Sequence, residues 1–213
     1  MSDRKAIILL SGGLDSAITA LYLRDKRFQL LGGIFVDRGQ SSLGKEIVAA
    51  KNIADRMEIP LFQTSFSTPE ILLMLDDNTR KKIGIPGRNA IFGTLAFPYL
   101  YVLDCQLLVI GNVSSDVFPD CNKDFRAGLG MLATQALRRP TEVVAPFADW
   151  ENLDKAGEIL YAIKNGHEWV FAQTWTCWYG KELQCGMCGT CKYRRSAFKT
   201  AGVVDPTTYE EGQ

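Results

Sequence analysis

The chain has 213 residues, of which 46% are hydrophobic, and this is enough apolar material for the core of one ordinary domain. Its 24 basic and 24 acidic side chains cancel, so direct DNA binding is not expected. The first apolar run, over residues 6–10, is too short for a signal peptide or a membrane span. We therefore expect a cytoplasmic protein without membrane association.

Short apolar runs alternate with helical patterns along the first part of the chain. The run over 6–10 predicts a strand, and a helix over 15–24 follows it after a Ser-Gly-Gly turn. A strand over 30–36, a helix over 43–57 and a strand over 59–63 come next. The rhythm is βαβαβ.

The alternation continues to residue 165 and defines the expected fold. The remaining predicted elements are a mostly buried helix over 89–103, a strand over 106–111, a helix over 123–137, a strand over 142–145, and a helix over 153–165 capped by Asn152 and stopped by Gly166. Such a pattern predicts an α/β fold with a doubly wound, mainly parallel sheet and helices on both faces.

The composition changes after Gln173. Cysteine, glycine and aromatic residues replace the alternating pattern, which predicts a small module ordered by a metal. We divide the chain into an α/β domain over 1–173, a metal-binding module over 174–205 packed on it, and a loose tail over 206–213.

A glycine-containing string lies between the first predicted strand and helix, where unpaired N–H groups and the helix dipole favour an anion. The string, here called the phosphate loop, consists of Ser11, Gly12, Gly13, Leu14, Asp15 and Ser16. The two glycines let the backbone approach a phosphate closely, and the two serine hydroxyls can donate to it. The carboxylate of Asp15 fits a phosphate that carries Mg²⁺ better than a bare anion. No Lys-Ser or Lys-Thr follows the glycines, so the segment is not a Walker loop.

Four of the six cysteines crowd together near the end of the chain. Cys177, Cys185, Cys188 and Cys191 have the spacing C-x7-C-x2-C-x2-C, which suits tetrahedral thiolate binding of zinc. Four thiolates close the coordination shell, so the zinc is predicted to be structural. An iron–sulfur cluster is the main alternative, and a redox pair would leave two thiols unexplained. The remaining cysteines, Cys105 and Cys121, are expected to be free thiols.

The phosphate loop matches the signature of PP-loop ATP pyrophosphatases. In addition, the chain carries CGxCxxC followed by KxRxxAF and AGVVDP. Between the two motifs come Pro86-Gly87-Arg88-Asn89, Pro119-Asp120-Cys121, Lys155 and Trp175-Thr176-Cys177. In this order the motifs resemble the 7-cyano-7-deazaguanine synthase family of the queuosine pathway over nearly the whole chain.

The resemblance implies an ATP-dependent carbon–nitrogen ligase that releases AMP and pyrophosphate. Its substrate would be 7-carboxy-7-deazaguanine, which is adenylated, converted by ammonia to an amide, and activated again to give the nitrile. The implied cofactors are structural Zn²⁺ and the Mg²⁺ that accompanies ATP, and a homodimer is a further expectation.

The same resemblance assigns site residues. The phosphate loop, Arg88 and Asn89 would bind ATP, and the catalytic residues would be Asp15, Arg88 and Lys155. The residues expected to bind the deazaguanine substrate are Gln40, Asp116 and Asp120. His167, the only histidine, lies near a predicted helix end without an evident partner, which argues against a Ser-His-Asp mechanism.

The chain departs from the family pattern at two places. The usual Tyr-Gly-Gln-Arg-His stretch is replaced by residues 37–42, Asp-Arg-Gly-Gln-Ser-Ser, and the substrate loop over 116–122 is shorter and lacks its final arginine. A more open pocket would allow conjugation of the acyl group to a protein amine, as in an antiviral system. A non-catalytic nucleotide-binding scaffold is the alternative from another class.

Overall fold

The computed structural model describes residues 4–70 and 85–210. Five parallel strands form one sheet in the order β3-β2-β1-β4-β5. The strands are β1 (Lys5–Leu9), β2 (Gln29–Asp37), β3 (Leu61–Ser65), β4 (Leu107–Val109) and β5 (Glu142–Val144). The predicted doubly wound parallel sheet is confirmed.

Helices cover both faces of the sheet. They are α1 (Leu14–Asp25), α2 (Leu43–Arg56), α3 (Arg88–Leu95), α4 (Phe97–Val102), α5 (Lys123–Leu137), α6 (Pro146–Asp149), α7 (Lys155–Lys164) and α8 (Gly189–Ala201), with 3-10 turns at Pro119–Cys121 and Glu168–Gln173. Successive residues of β1 enter opposite cores: Ile8 packs with α1, α2, α7 and α8, and Ile7 with α3, α4 and α5. A strand buried on both faces reads as a continuous apolar run.

The single, mostly buried helix predicted over 89–103 is in fact two helices, and most of its residues are exposed or only partly buried. The break falls at Ala96, between α3 and α4. Pro98, in the first turn of α4, has no backbone N–H to continue the hydrogen-bond ladder of α3. Tyr101 and Val102 are exposed.

Helix α7 begins two residues later than predicted, and its cap is a different residue. The side chain of Asp154 caps it by accepting a 2.8 Å hydrogen bond from the Gly157 N–H, so the prediction of Asn152 was wrong. The predicted stop at Gly166 is confirmed, because Gly166 has φ 73° and the following His167 N–H donates to the Ala162 carbonyl.

The C-terminal segment shares the main core of the α/β domain. Phe198 of α8 packs edge-on against Phe171, with ring centroids 5.0 Å apart. Residues 206–210 were predicted to be loose, but Tyr209 donates a 2.6 Å hydrogen bond to Asp205, and Glu210 N–H donates to the Gln184 carbonyl. The last three residues of the predicted tail lie outside the described residues.

His167 has a partner, contrary to the sequence-based prediction. Its Nε2 lies 2.8 Å from Asp25 Oδ2, and Tyr161 donates a hydrogen bond to the same carboxylate. This contact ties the end of α7 to the end of α1. Among the helices that the structure describes, none is long and apolar enough to cross a membrane.

Candidate active site

The sheet order places a crevice between β1 and β4. Chain connections leave these two neighbouring strands in opposite directions, and ligands bind α/β sheets at the carboxyl edge of such a switch point. The phosphate loop follows β1, and residues 110–116 follow β4, so both segments meet at this edge.

The conformation of the phosphate loop depends on Gly12. Its φ is 78°, and a Cβ atom there would collide with the Glu46 carbonyl oxygen of α2. The two serine hydroxyls lie 3.1 Å apart, and the Gly13 N–H donates to Ser11 Oγ. The loop is therefore ordered by its own contacts.

Lys155 forms an ion pair with Asp15 of the phosphate loop. Lys155 is only 8% exposed, and burial alone would lower the pKa of its ammonium group. The carboxyl groups of Asp15 and Glu158 outweigh this effect and raise the pKa of Lys155 above its ordinary value. Burial opposes ionisation of Asp15 too, but Lys155 holds the pKa of Asp15 below its ordinary value. Both partners are therefore charged at neutral pH.

Glu158 lies one turn further along α7 and has no exposed surface. Its Oε1 lies 3.7 Å from Lys155 Nζ, and neither carboxyl oxygen has a hydrogen-bond partner among the described residues. Burial, and then the negative charge of Asp15, raise the pKa of Glu158 well above its ordinary value. Nothing in the sequence distinguished this residue from an ordinary helix glutamate.

Arg88 and Asn89 lie at the start of α3 and line the same crevice. The Asn89 amide donates to the Asp120 carbonyl at 2.9 Å and to Cys121 Sγ at 3.4 Å. The Arg88 guanidinium lies over the Phe92 ring, 5.8 Å from its centroid. The Asn89 side chain is thus fixed by its contacts with Asp120 and Cys121, whereas Arg88 is exposed.

The three predicted substrate residues are not brought together. Asp116 lines the crevice, and its Oδ2 accepts 3.1 Å hydrogen bonds from the Asn112 amide and the Val113 N–H. Burial, and then Asp15, raise the pKa of Asp116. Asp120 instead accepts from the Asn89 N–H at the start of α3, and the Gln40 amide donates to Glu46. The residues that line the crevice include neither Asp120 nor Gln40.

The C-terminal segment supplies one wall of the crevice, which encloses about 350 Å³. Sequence reasoning expected only a structural module there. The wall residues from this segment are Trp175, Thr176, Trp178, Thr190, Tyr193 and Arg194. The Trp175 N–H also donates to the Gly12 carbonyl at 2.9 Å, which joins the wall to the phosphate loop.

Arg194 is the main internal support of this wall, and it is only 1% exposed. Its guanidinium donates to the Asp205 carboxylate, to the Thr174 hydroxyl at 2.6 Å and to the Phe171 carbonyl at 2.8 Å. Its partners lie at least 11 residues away in the sequence, so local patterns do not reveal the role.

The four cysteines predicted to bind metal lie together, and their Sγ atoms are all within 4.8 Å of one another. A tetrahedral zinc site with Zn–S bonds of about 2.3 Å needs sulfurs about 3.8 Å apart, close to the 4.0 Å of two pairs here. Backbone N–H groups of Tyr179 and Cys185 point at Cys177 Sγ, which suits a thiolate. Cys105 and Cys121 lie outside this cluster, and both are buried.

The parallel sheet, together with the Ser-Gly-Gly-Leu-Asp-Ser string that leads from β1 into α1, matches the PP-loop class of nucleotide-binding folds. The sequence model of one family, described as "Queuosine biosynthesis protein QueC", matches residues 5–202. The chain belongs to this family.

Relatives and solved structures agree with that assignment. The chain is 32% identical to the 7-cyano-7-deazaguanine synthase of Agrobacterium fabrum, over 97% of this chain and 92% of the relative. It is 30% identical to the enzyme of the same name from Methanobrevibacter smithii, over 99% and 100% of the two chains. The fold is similar to that of the U34-tRNA thiolase NcsA from Methanococcus maripaludis, solved with its 4Fe–4S cluster. The TM-score is 0.52 at 16% identity, over 94% of this chain and 68% of the thiolase.

Proposed function

We propose that this protein is an ATP-dependent carbon–nitrogen ligase that adenylates 7-carboxy-7-deazaguanine. Ammonia then gives the amide, and a second activation gives the nitrile, as the names of the relatives suggest. The observation that carries the proposal is the crevice itself. There the phosphate loop, the Asp15–Lys155 pair and Asp116 border one space of about 350 Å³.

The phosphate side of the reaction is assigned to the loop and two cations. Backbone N–H groups and serine hydroxyls of the loop would bind the departing pyrophosphate, and Mg²⁺ carried with ATP would offset part of its charge. Lys155 would stabilise the negative charge that develops on the phosphoryl oxygens, and it is preorganised for this because Asp15 holds it in place. Arg88, exposed at the crevice, offers a planar fork of donors to phosphate or carboxylate.

The cysteine cluster is assigned to structural Zn²⁺. The spacing of the sulfurs supports a single ion, because the thiolates of an iron–sulfur cluster bind different irons and must spread further apart. With four thiolates the ion has no open position for substrate. The metal would hold the wall that carries Trp175 and Tyr193 against the phosphate loop.

A second candidate function is conjugation of the activated acyl group to a protein amine. The observation that favours it is the exposure of two apolar side chains on the shortened substrate loop, 88% for Val117 and 61% for Phe118. Phe118 also lines the crevice, so its ring could contact a large acceptor as it enters. A non-catalytic scaffold is disfavoured. Holding the Lys155–Asp15 pair in the crevice removes both charges from water at a cost in free energy, and a protein that only binds nucleotide would not need such a pair.

The test is an AMP count with ATP, Mg²⁺, 7-carboxy-7-deazaguanine and ammonium. The main proposal predicts about two ATP consumed per nitrile, since two carbon–oxygen bonds must be activated. A reaction that stops at the amide, together with an acyl mass gain on a protein encoded nearby, would favour conjugation. ATP cleavage that does not depend on the deazaguanine acid contradicts both.

A further inference from the structure

Glu158 has no role in the function proposed above, yet it lies directly behind the ion pair. It is fully buried on α7, and neither of its oxygens accepts a hydrogen bond from any of the described residues. A carboxylate in this position would be desolvated without compensating hydrogen bonds. A buried acidic group avoids this cost by keeping its proton.

The charges around Glu158 point the same way. The charged groups that act on it are Asp15 of α1, Asp116 of the loop after β4 and Lys155 of its own helix, and Arg194 of α8 acts in turn on Asp15. Arg194 is already bonded to Asp205. If every acid were ionised, three carboxylates would share the single charge of Lys155 beside a site for phosphates. That excess of negative charge would repel ATP.

We propose that Glu158 is held as a neutral carboxylic acid that donates a hydrogen bond to the Asp15 carboxylate, and that this proton is needed for tight ATP binding. Glu158 is a positioning residue, because it does not line the crevice and acts through Asp15 and Lys155. The proposal rests on ATP being the ligand, as proposed above, and does not depend on the acceptor or the deazaguanine acid.

The raised pKa of Glu158 agrees with this assignment, and its sign fixes the expected pH dependence. The proton is retained above the ordinary glutamate value of 4.5 and is lost only when the pH approaches the raised value. ATP binding should therefore weaken as the pH rises through that raised value. Lys155 does not cause such a loss, because the negative charge of Asp15 raises the pKa of its ammonium group.

The experiment compares Glu158→Gln with wild type by calorimetric titration of the full-length protein with a non-hydrolysable ATP analogue and Mg²⁺. The glutamine amide has nearly the same shape and can donate a hydrogen bond, but it cannot ionise. We expect Glu158→Gln to bind within about threefold of wild type at neutral pH, and Glu158→Ala to bind about tenfold more weakly. As the pH is raised from neutrality to the highest value at which the protein stays folded, the wild type should lose affinity while Glu158→Gln keeps it.

Glu168→Gln, at an exposed position outside the crevice, is the control for the change of net charge. Parallel pH profiles for wild type and Glu158→Gln would overturn the proposal. A wild-type affinity for the ATP analogue that stays constant over this pH range would also overturn it. This second measurement does not depend on whether a variant folds. The infrared spectrum of wild type minus Glu158→Gln at neutral pH should show the carbonyl band of a protonated carboxyl group. Its absence overturns the proposal without reference to any ligand or reaction.

Discussion

Lys155, the first residue of α7, forms an ion pair with Asp15 in the first turn of α1, across 140 positions of sequence. Both helices begin at the carboxyl edge of the sheet, so the pair lies beside the phosphate loop. Asp15 also lies at the positive end of the α1 dipole, which stabilises its charge. The pair therefore joins α1 to α7 in the folded chain and also places a positive charge next to the phosphate loop.

Replacing Asp15 with Asn should reduce carboxylate-dependent AMP release by about 10²-fold or more, since Lys155 loses the partner that positions it. The same change should lower the free energy of unfolding by about 2–4 kcal/mol, because a buried ammonium loses its counter-charge, although the side chain of Asp15 is itself 28% exposed. Because the pKa of Asp15 is lowered, this difference between wild type and variant should shrink as the pH falls below about 4.

Asp55→Asn, on the exposed side of α2, is the control and should change neither property. Wild-type turnover in Asp15→Asn, measured by AMP formation, would contradict the assigned role. Chemical unfolding at several pH values measures the second effect.

Purified protein should contain about one zinc per chain, and Cys188→Ser should lose the metal and become unstable, because zinc binding is coupled to folding. Metal analysis and thermal unfolding measure the two effects. Cys105→Ser is the matched control, since Cys105 is a buried thiol outside the cysteine cluster and donates to the Leu107 carbonyl. Iron with visible absorption, or a stable metal-free wild type, would show that the zinc assignment is wrong.

Replacing Arg194 with Lys should reduce the free energy of unfolding by about 3–5 kcal/mol, because one ammonium cannot satisfy Asp205, Thr174 and the Phe171 carbonyl together. Arg195→Lys changes the exposed neighbour in the same way and should cost less than about 1 kcal/mol. Urea unfolding of both variants gives the comparison. Equal stability of the two would mean that Arg194 does not support the wall.

Cys121 should not act as a nucleophile. Burial, and then Asp116 and Asp120, raise the pKa of its thiol to about 11, so little thiolate exists at neutral pH. Alkylation of Cys121 in the folded protein should be slow near neutral pH and should accelerate as the pH rises toward about 11. Peptide mass spectrometry after timed labelling measures this rate, and Cys121→Ala should retain AMP formation. Rapid labelling at neutral pH would contradict the prediction.

The sequence was sufficient for the features that depend on neighbouring residues. Apolar runs alternating with helical patterns predicted the parallel sheet because its central strands, β1 and β4, are buried on both faces. The phosphate loop was evident because the glycines act within one turn between β1 and α1. The cysteine cluster was evident because three of its four members lie within seven residues. In each case the physical constraint acts over a few residues of chain.

Only the tertiary structure decided which polar groups are buried, and with which partners. Glu158 looks like any helix glutamate until α1 and α7 pack together and seal it behind Asp15. Asp120 and Gln40 are suitable types for binding a base, but folding pairs them with the N–H of Asn89 and the carboxylate of Glu46. The environment of such a group is set by residues distant in sequence, so its charge, accessibility and pKa follow only from the packed arrangement of the whole chain.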